Sequence, residues 1–333
     1  AYGTNDPALS GIAVTVGNIV NGNVTDINGT VTNINDTGNV NTALVSLTRN
    51  TGENVGNYTI TNATFDPLSG SAASNYSGPI FIGTPSLAIN TVSLIVNADP
   101  GTKVYGAVDP TLTYSASGLV NTTVTDWMGN TTDIDDQVSG ALTRAPGQNV
   151  GPYAILIGTL TASANYTTNY TGNTFTITPA TLTYLADAAS RVYGSVNPIF
   201  TGSVTGFVNG DTQGSSTTGV LTFTSPAVNT SYVGSYAING SGLTANNGNY
   251  VFVQAPSNAT ALTVTPASLT SSNVLANNKN YDGTTTATLN LTSASLNGVL
   301  FGDDVNIDPV GYNANFASPN VGDNIPVGVM NLG

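Results

Sequence analysis

The sequence predicts an all-β protein, a string of tandem β-sandwich repeats arranged as an elongated rod. Three observations predict it. Thr, Asn, Gly, Ser, Val and Ala supply the bulk of the 333 residues, and only 5 are Lys or Arg. Thr, Val, Ile and Tyr suit a pleated, half-buried surface, while Gly, Asn and Pro punctuate turns. Apolar and polar residues alternate with period two: Thr174-Phe175-Thr176-Ile177-Thr178 and Ala261-Leu262-Thr263-Val264-Thr265 place their large apolar side chains on one face. The third observation is internal repetition, the signature of an array.

Tyr-Gly occurs at Tyr2-Gly3, Tyr105-Gly106 and Tyr193-Gly194, each time followed by Asp6-Pro7, Asp109-Pro110 or Asn197-Pro198. A variant, Tyr281-Asp282-Gly283, comes 88 residues after Tyr193. A second landmark follows each Tyr-Gly: Val55-Gly56-Asn57-Tyr58, Val150-Gly151-Pro152-Tyr153 and Val233-Gly234-Ser235-Tyr236, with Asn320-Val321-Gly322 in the fourth copy. The third is Asn-Tyr, at Asn75-Tyr76, Asn165-Tyr166 and Asn249-Tyr250. Leu-Thr-Arg precedes the second landmark twice, ending at Arg49 and Arg144.

Each unit is expected to hold six or seven short strands within roughly 85 to 95 residues, the strand count of an immunoglobulin-like sandwich. Pro cannot donate to a ladder, so Pro85, Pro179 and Pro266 are read as the breaks between units. Four repeats result: 1–85, 86–179, 180–266 and 267–333. Repeat one is read as lacking its first strand and repeat four its last. The stretch Gly17–Val40 of repeat one is longer than its counterparts and rich in Asn and Thr.

These landmarks resemble the bacterial Ig-like MBG repeats, whose pattern of Tyr-Gly…Asp-Pro, Leu-Thr-Arg…Asn-Val-Gly-x-Tyr and Asn-Tyr is matched from Tyr105 to Tyr166. Repeat four resembles the neighbouring YDG family through Tyr281-Asp282-Gly283, Gly302-Asp303-Asp304-Val305 and Asn320-Val321-Gly322. The resemblance implies long repeat arrays in secreted surface proteins, often beside filamentous-haemagglutinin-like modules exported by two-partner secretion. On it, Tyr105, Gly106, Pro110, Gly151, Tyr153, Tyr193, Gly194, Pro198, Gly234, Tyr236, Tyr281, Asp282 and Gly283 are structural motif residues.

Composition excludes several functions. The net charge is −13 with only 7% of residues charged, so the surface is covered by neutral polar groups. Five scattered basic residues form no phosphate-neutralising patch, which argues against nucleic acid and against an anionic membrane surface. No apolar run reaches the ~18 residues of a membrane-spanning helix. Without His or Cys, the common general base and the thiol nucleophile are both missing, and no enzymatic role is expected. A chain without Cys also suits export in an unfolded state, so an extracellular or bacterial cell-surface location is expected.

Calcium is the one ion the sequence invites, since Asp133, Asp135 and Asp136 offer hard oxygen ligands close together. No cofactor is otherwise expected. The tyrosine of Val-Gly-x-Tyr occupies the place of a tyrosine corner, whose hydroxyl returns to backbone. Trp127, the single tryptophan, is expected to pack into its own repeat. The expected role is a stalk or filament segment spanning about 150 Å, its partners neighbouring repeats, head-to-tail copies, or glycans and cell surfaces. A carbohydrate-binding array is the alternative, and an exposed coplanar row of aromatic rings would mark it.

Overall fold

A computed structural model describes residues 1–333 and is all-β, with a single α-helical turn at Gln213–Ser216 that Thr212 and Ser215 cap reciprocally. The chain forms two compact units, Ala1–Thr178 and Pro179–Gly333.

Repeat two, in the first unit, pairs its beginning with its end. Val92–Ala98 runs parallel to Tyr166–Thr171, and Gly101–Val104 runs parallel to Thr174–Thr178. Antiparallel strands complete the sheets: Tyr114–Ser117 on the first of these ladders, Gly151–Leu156 and Thr143–Arg144 on the second. The alternation read from sequence is what lines the core. Phe175 and Ile177 are fully buried while Thr174 and Thr176 beside them are exposed, and Leu94 and Val96 of the strand Val92–Ala98 are fully buried as well. Each such side chain contributes about 1.5–3 kcal/mol by leaving water.

Repeat three, in the second unit, repeats the scheme. Ala180–Ala186 runs parallel to Tyr250–Gln254 and Ala189–Val192 to Leu262–Thr265. Leu182, Ile238, Leu262 and Val264 form its interior. Repeat four is thinner: three short two-stranded pairs, with Ala287 and Ala314 its buried apolar residues.

Repeat one departs from the others. The strand Ser86–Ile89 pairs with Gly56–Phe65, which also pairs with Leu44–Arg49. Ser86–Ile89 therefore closes repeat one, as Thr174–Thr178 closes repeat two, and the handover falls after Ile89 rather than at Pro85. The apolar residues before Pro85 form no strand: Ile80 and Ile82 are 80% and 72% exposed. The physical reason is the missing partner. Tyr166–Thr171 is a strand because Val92–Ala98 lies parallel to it, and no strand within residues 1–333 pairs with residues 76–82. The Asn/Thr-rich stretch contains a regular hairpin, Asn21–Thr25 against Val31–Asn35. Its turn is held by Asp26, whose carboxylate accepts from the Asn28 and Thr30 amides at 2.9 and 2.8 Å.

Candidate functional site

The basic side chains of this protein converge on the Tyr-Gly and Tyr-Asp-Gly turns. In repeat one the turn runs from Tyr2 to Pro7, and Asp6 meets the Arg49 guanidinium at 2.9 Å with both side chains almost fully buried. Glu53 takes another edge of the guanidinium at 2.8 Å, and the ring of Tyr58 lies beneath it, 5.1 Å from centroid to carbon. Burial works against the Arg49 charge, but the bonds to Asp6 and Glu53 more than offset it and its pKa is raised.

In repeat two Asp109 takes the same place, held at 2.6 Å by both Arg144 and Lys103. Those two hydrogen bonds, Arg144's the larger, hold the carboxyl down at about 2. Arg144 lies over Tyr153 at 5.1 Å. Repeat three uses Asn197 instead, which accepts from Arg191 Nε at 2.7 Å. In repeat four Lys279 reaches Asp282 at 2.9 Å. All 5 basic residues of the chain thus bind the acid or amide of a Tyr-Gly or Tyr-Asp-Gly turn. The sequence signal was their rarity and placement: Lys103, Arg191 and Lys279 each precede the tyrosine by two residues.

The tyrosine corner is present three times. Tyr58, Tyr153 and Tyr236 donate their hydroxyls to the carbonyls of Asn54, Asn149 and Tyr232, four residues back, at 2.7–2.8 Å.

The clamped turn of repeat one is inserted into repeat two. The Tyr2 hydroxyl donates to Asp136 Oδ2 at 2.7 Å, and that oxygen also accepts from the Tyr166 hydroxyl at 2.6 Å. The two rings meet edge to face, 5.8 Å apart at 81°. Burial, then the Asp136 bond, pushes the Tyr2 hydroxyl up to about 12 and raises Tyr166 as well. Gly3, at φ +76°, lies so close that a Cβ there would run into the Val120 side chain. The Thr125 amide donates to Asn5 Oδ1 at 2.8 Å, and the Trp127 amide to Asp6 Oδ2 at 3.1 Å. A second tie joins the other landmarks: Asn165 accepts from the Val55 amide at 2.8 Å and donates to Asn54 Oδ1 at 2.9 Å.

The second unit has a sparser version. The Tyr193 hydroxyl donates to Asp303 Oδ1 at 3.3 Å, its ring meets Phe301 edge on at 5.9 Å and 83°, and a Cβ on Gly194 would run into Leu300.

Two expectations need correction. Trp127 does not pack into its own repeat: it sits at the tip of the hairpin Asn121–Thr125/Thr131–Asp135, and its Nε1–H donates to the Pro7 carbonyl at 2.6 Å. Asp133, Asp135 and Asp136 do not converge on a common point, and no trio of acidic side chains is arranged to hold a metal ion. Asp133 accepts from the Thr123 hydroxyl at 2.5 Å, while Asp136 is taken by the two tyrosines. Asp133 and Asp135 share a face of the strand Thr131–Asp135 but stand two residues, about 6–7 Å, apart along it, and Asp136, beyond the strand's end, turns to the tyrosines.

Sequence reasoning missed the tie between the Asn-Tyr tyrosine and an aspartate. Tyr76, Tyr166 and Tyr250 donate to Asp36, Asp136 and Asp211 at 2.6–2.8 Å, and each accepts from the amide of Val20, Val120 or Val208.

Residues 94–176 and 182–260 match the family described as MBG domain (YGX type), and residues 265–333 match the YDG domain. No curated protein and no solved structure matches the chain.

Proposed function

The chain contains two MBG (YGX type) repeats followed by a YDG domain, and on that footing we propose that it is a cohesive, non-enzymatic segment of a large secreted or cell-surface adhesin-type protein. Each repeat would be an Ig-like sandwich, and the repeats would follow one another as a rod that extends a binding tip or forms a filament body. One observation carries this reading. All 5 basic side chains are engaged in holding turns, and the joint between repeats one and two is built from the same kinds of group, Asp136 holding Tyr2 and Tyr166 at once.

Antibodies against the chain are expected to label intact cells of the source organism. Small-angle scattering should give a maximum dimension near 150 Å, from four units of ~35–40 Å each. A compact globule, or labelling that needs lysed cells, would overturn the reading.

The carbohydrate alternative has one observation in its favour. Tyr232 is 75% exposed and Phe301 53%, and both touch the Tyr193 ring. Oligosaccharide titrations that perturb these rings, and that Tyr232→Ala abolishes, would support it.

A further inference from the structure

Repeat one carries the receiving surface that repeat two uses, with no turn seated on it. Val20, Asp36 and Tyr76 make the same triad as Val120, Asp136 and Tyr166. The Tyr76 hydroxyl donates to Asp36 Oδ2 and accepts from the Val20 amide, both at 2.8 Å. The hairpins above the triads have equal register and the same aspartate-held turn. Cover is what differs. Val124 is 2% exposed beside the docked turn, and Val24 is 48% exposed. Asn165 is buried against Asn54 and Val55, whereas Asn75 is exposed. Ile27, where repeat two has Trp127, is fully exposed.

We propose that the surface formed by Val20, Ile27, Asp36, Asn75 and Tyr76 is a docking site for the Tyr-Gly-x-x-Asp-Pro turn of a further MBG-type repeat. The tyrosine hydroxyl of that turn bonds to Asp36, its ring meets Tyr76 edge on, and its glycine lies against Val20. Asn75 takes the Asn-Val-Gly turn of the same partner. The glycine selects the occupant. At both joints the residue after tyrosine touches a branched side chain so closely that a Cβ would collide with it. The chain's own free-standing turn, Tyr281-Asp282-Gly283, puts Asp282 in that position, so repeat four of a second copy is not the fitting partner although Tyr281 is 68% exposed. The site therefore reads the YGX type and rejects the YDG type. This inference rests on the reading of the chain as a repeat array and names what the joint at repeat one accepts.

The test is a longer chain in which residues 92–192 precede Tyr2 in place of Ala1. The added Tyr105-Gly106 turn then stands ahead of Val20 as Tyr2-Gly3 stands ahead of Val120, and the added segment 180–192 leads into Tyr2 as it leads into Tyr193. Hydrogen exchange at Val20 and in the hairpin 21–35 should slow by at least about tenfold relative to the unextended chain. Gly106→Ala in the added copy should return those rates toward the original while the core amides of every repeat keep theirs. Unchanged rates, or a slowing that survives Gly106→Ala, would refute the proposal. If the added copy's own core exchanges freely, the peptide Ala1–Ser10 titrated into the unextended chain replaces it. That peptide should shift the Val20 amide resonance and its Gly3→Ala version should not, and a null result with the first overturns the site. Self-association of the unextended chain that Tyr281→Ala abolishes would overturn the selection of YGX over YDG. None of these outcomes bears on surface labelling or particle length, on which the array reading itself is tested.

Discussion

The hairpins Asn21–Thr25/Val31–Asn35 and Asn121–Thr125/Thr131–Asp135 share register, turn chemistry and an aspartate–tyrosine pair at their base, yet a neighbour's turn covers Val124 in one while the equivalent Val24 of the other faces water. The hairpin forms from local instructions in both places: period-two alternation and an aspartate that closes the turn through backbone amides. What surrounds it is decided by a turn more than a hundred residues away in sequence, Tyr2 to Pro7, and by that turn's own clamp. A repeat of this kind is thus a finished local structure with an unfinished surface, completed by the adjoining repeat.

The largest expected effect separates the clamp from the docking surface. Arg49→Ala leaves Asp6 buried without its cation, and breaking a buried pair from one side costs about 3–5 kcal/mol. Because Asp6 also receives the Trp127 amide, the loss should reach repeat two. Chemical denaturation followed by tryptophan fluorescence would register it, and a midpoint unchanged from the parent would show that the clamp is not what orders the turn.

A smaller difference is expected between equivalent aspartates. Asp136→Ala removes an acceptor shared by two hydroxyls, whereas Asp36→Ala removes the acceptor of one. Hydrogen bonds to a charged group contribute about 1.5–3 kcal/mol each when buried, so Asp136→Ala should destabilise by at least twice as much as Asp36→Ala. Equal effects in thermal melts would mean that Tyr2 adds nothing at the joint.

The valines sharpen the same contrast. Val124→Ala removes buried methyl groups and should cost about 1–2 kcal/mol, while Val24→Ala should stay within about 0.5 kcal/mol of the parent. In the extended chain described above, Val24→Ala should become as costly as Val124→Ala.

The smallest effect concerns acid. Asp109 is held down at about 2 by Arg144 and Lys103, against an ordinary value near ~4. A depressed carboxyl contributes stability that is complete above its unfolded pKa and is lost as pH falls through the folded one. The repeat-two clamp should therefore weaken between about pH 4 and pH 2. Repeat three, with Asn197 in that place, has no carboxyl to titrate there. Exchange rates in Gly101–Val104 should rise over that window more than those in Ala189–Val192, and parallel behaviour of the two strands would contradict the clamp's electrostatic origin.

The sequence by itself determined the all-β class, the core and the corners. Alternation at Thr174–Thr178 placed Phe175 and Ile177 inside, and Val-Gly-x-Tyr placed Tyr58, Tyr153 and Tyr236 at their carbonyls, because both are short-range consequences of pleat and turn geometry. The landmarks were also visible, including Leu-Thr-Arg, but what they bind was not. That Arg49 closes on Asp6, that Asp136 serves tyrosines of two repeats rather than an ion, and that Trp127 belongs to its neighbour's turn are contacts between segments 30 to 134 residues apart. So is the ending of repeat one at Ile89: whether a run of apolar residues becomes a strand depends on finding a ladder to join, and only the tertiary structure supplies or withholds that partner.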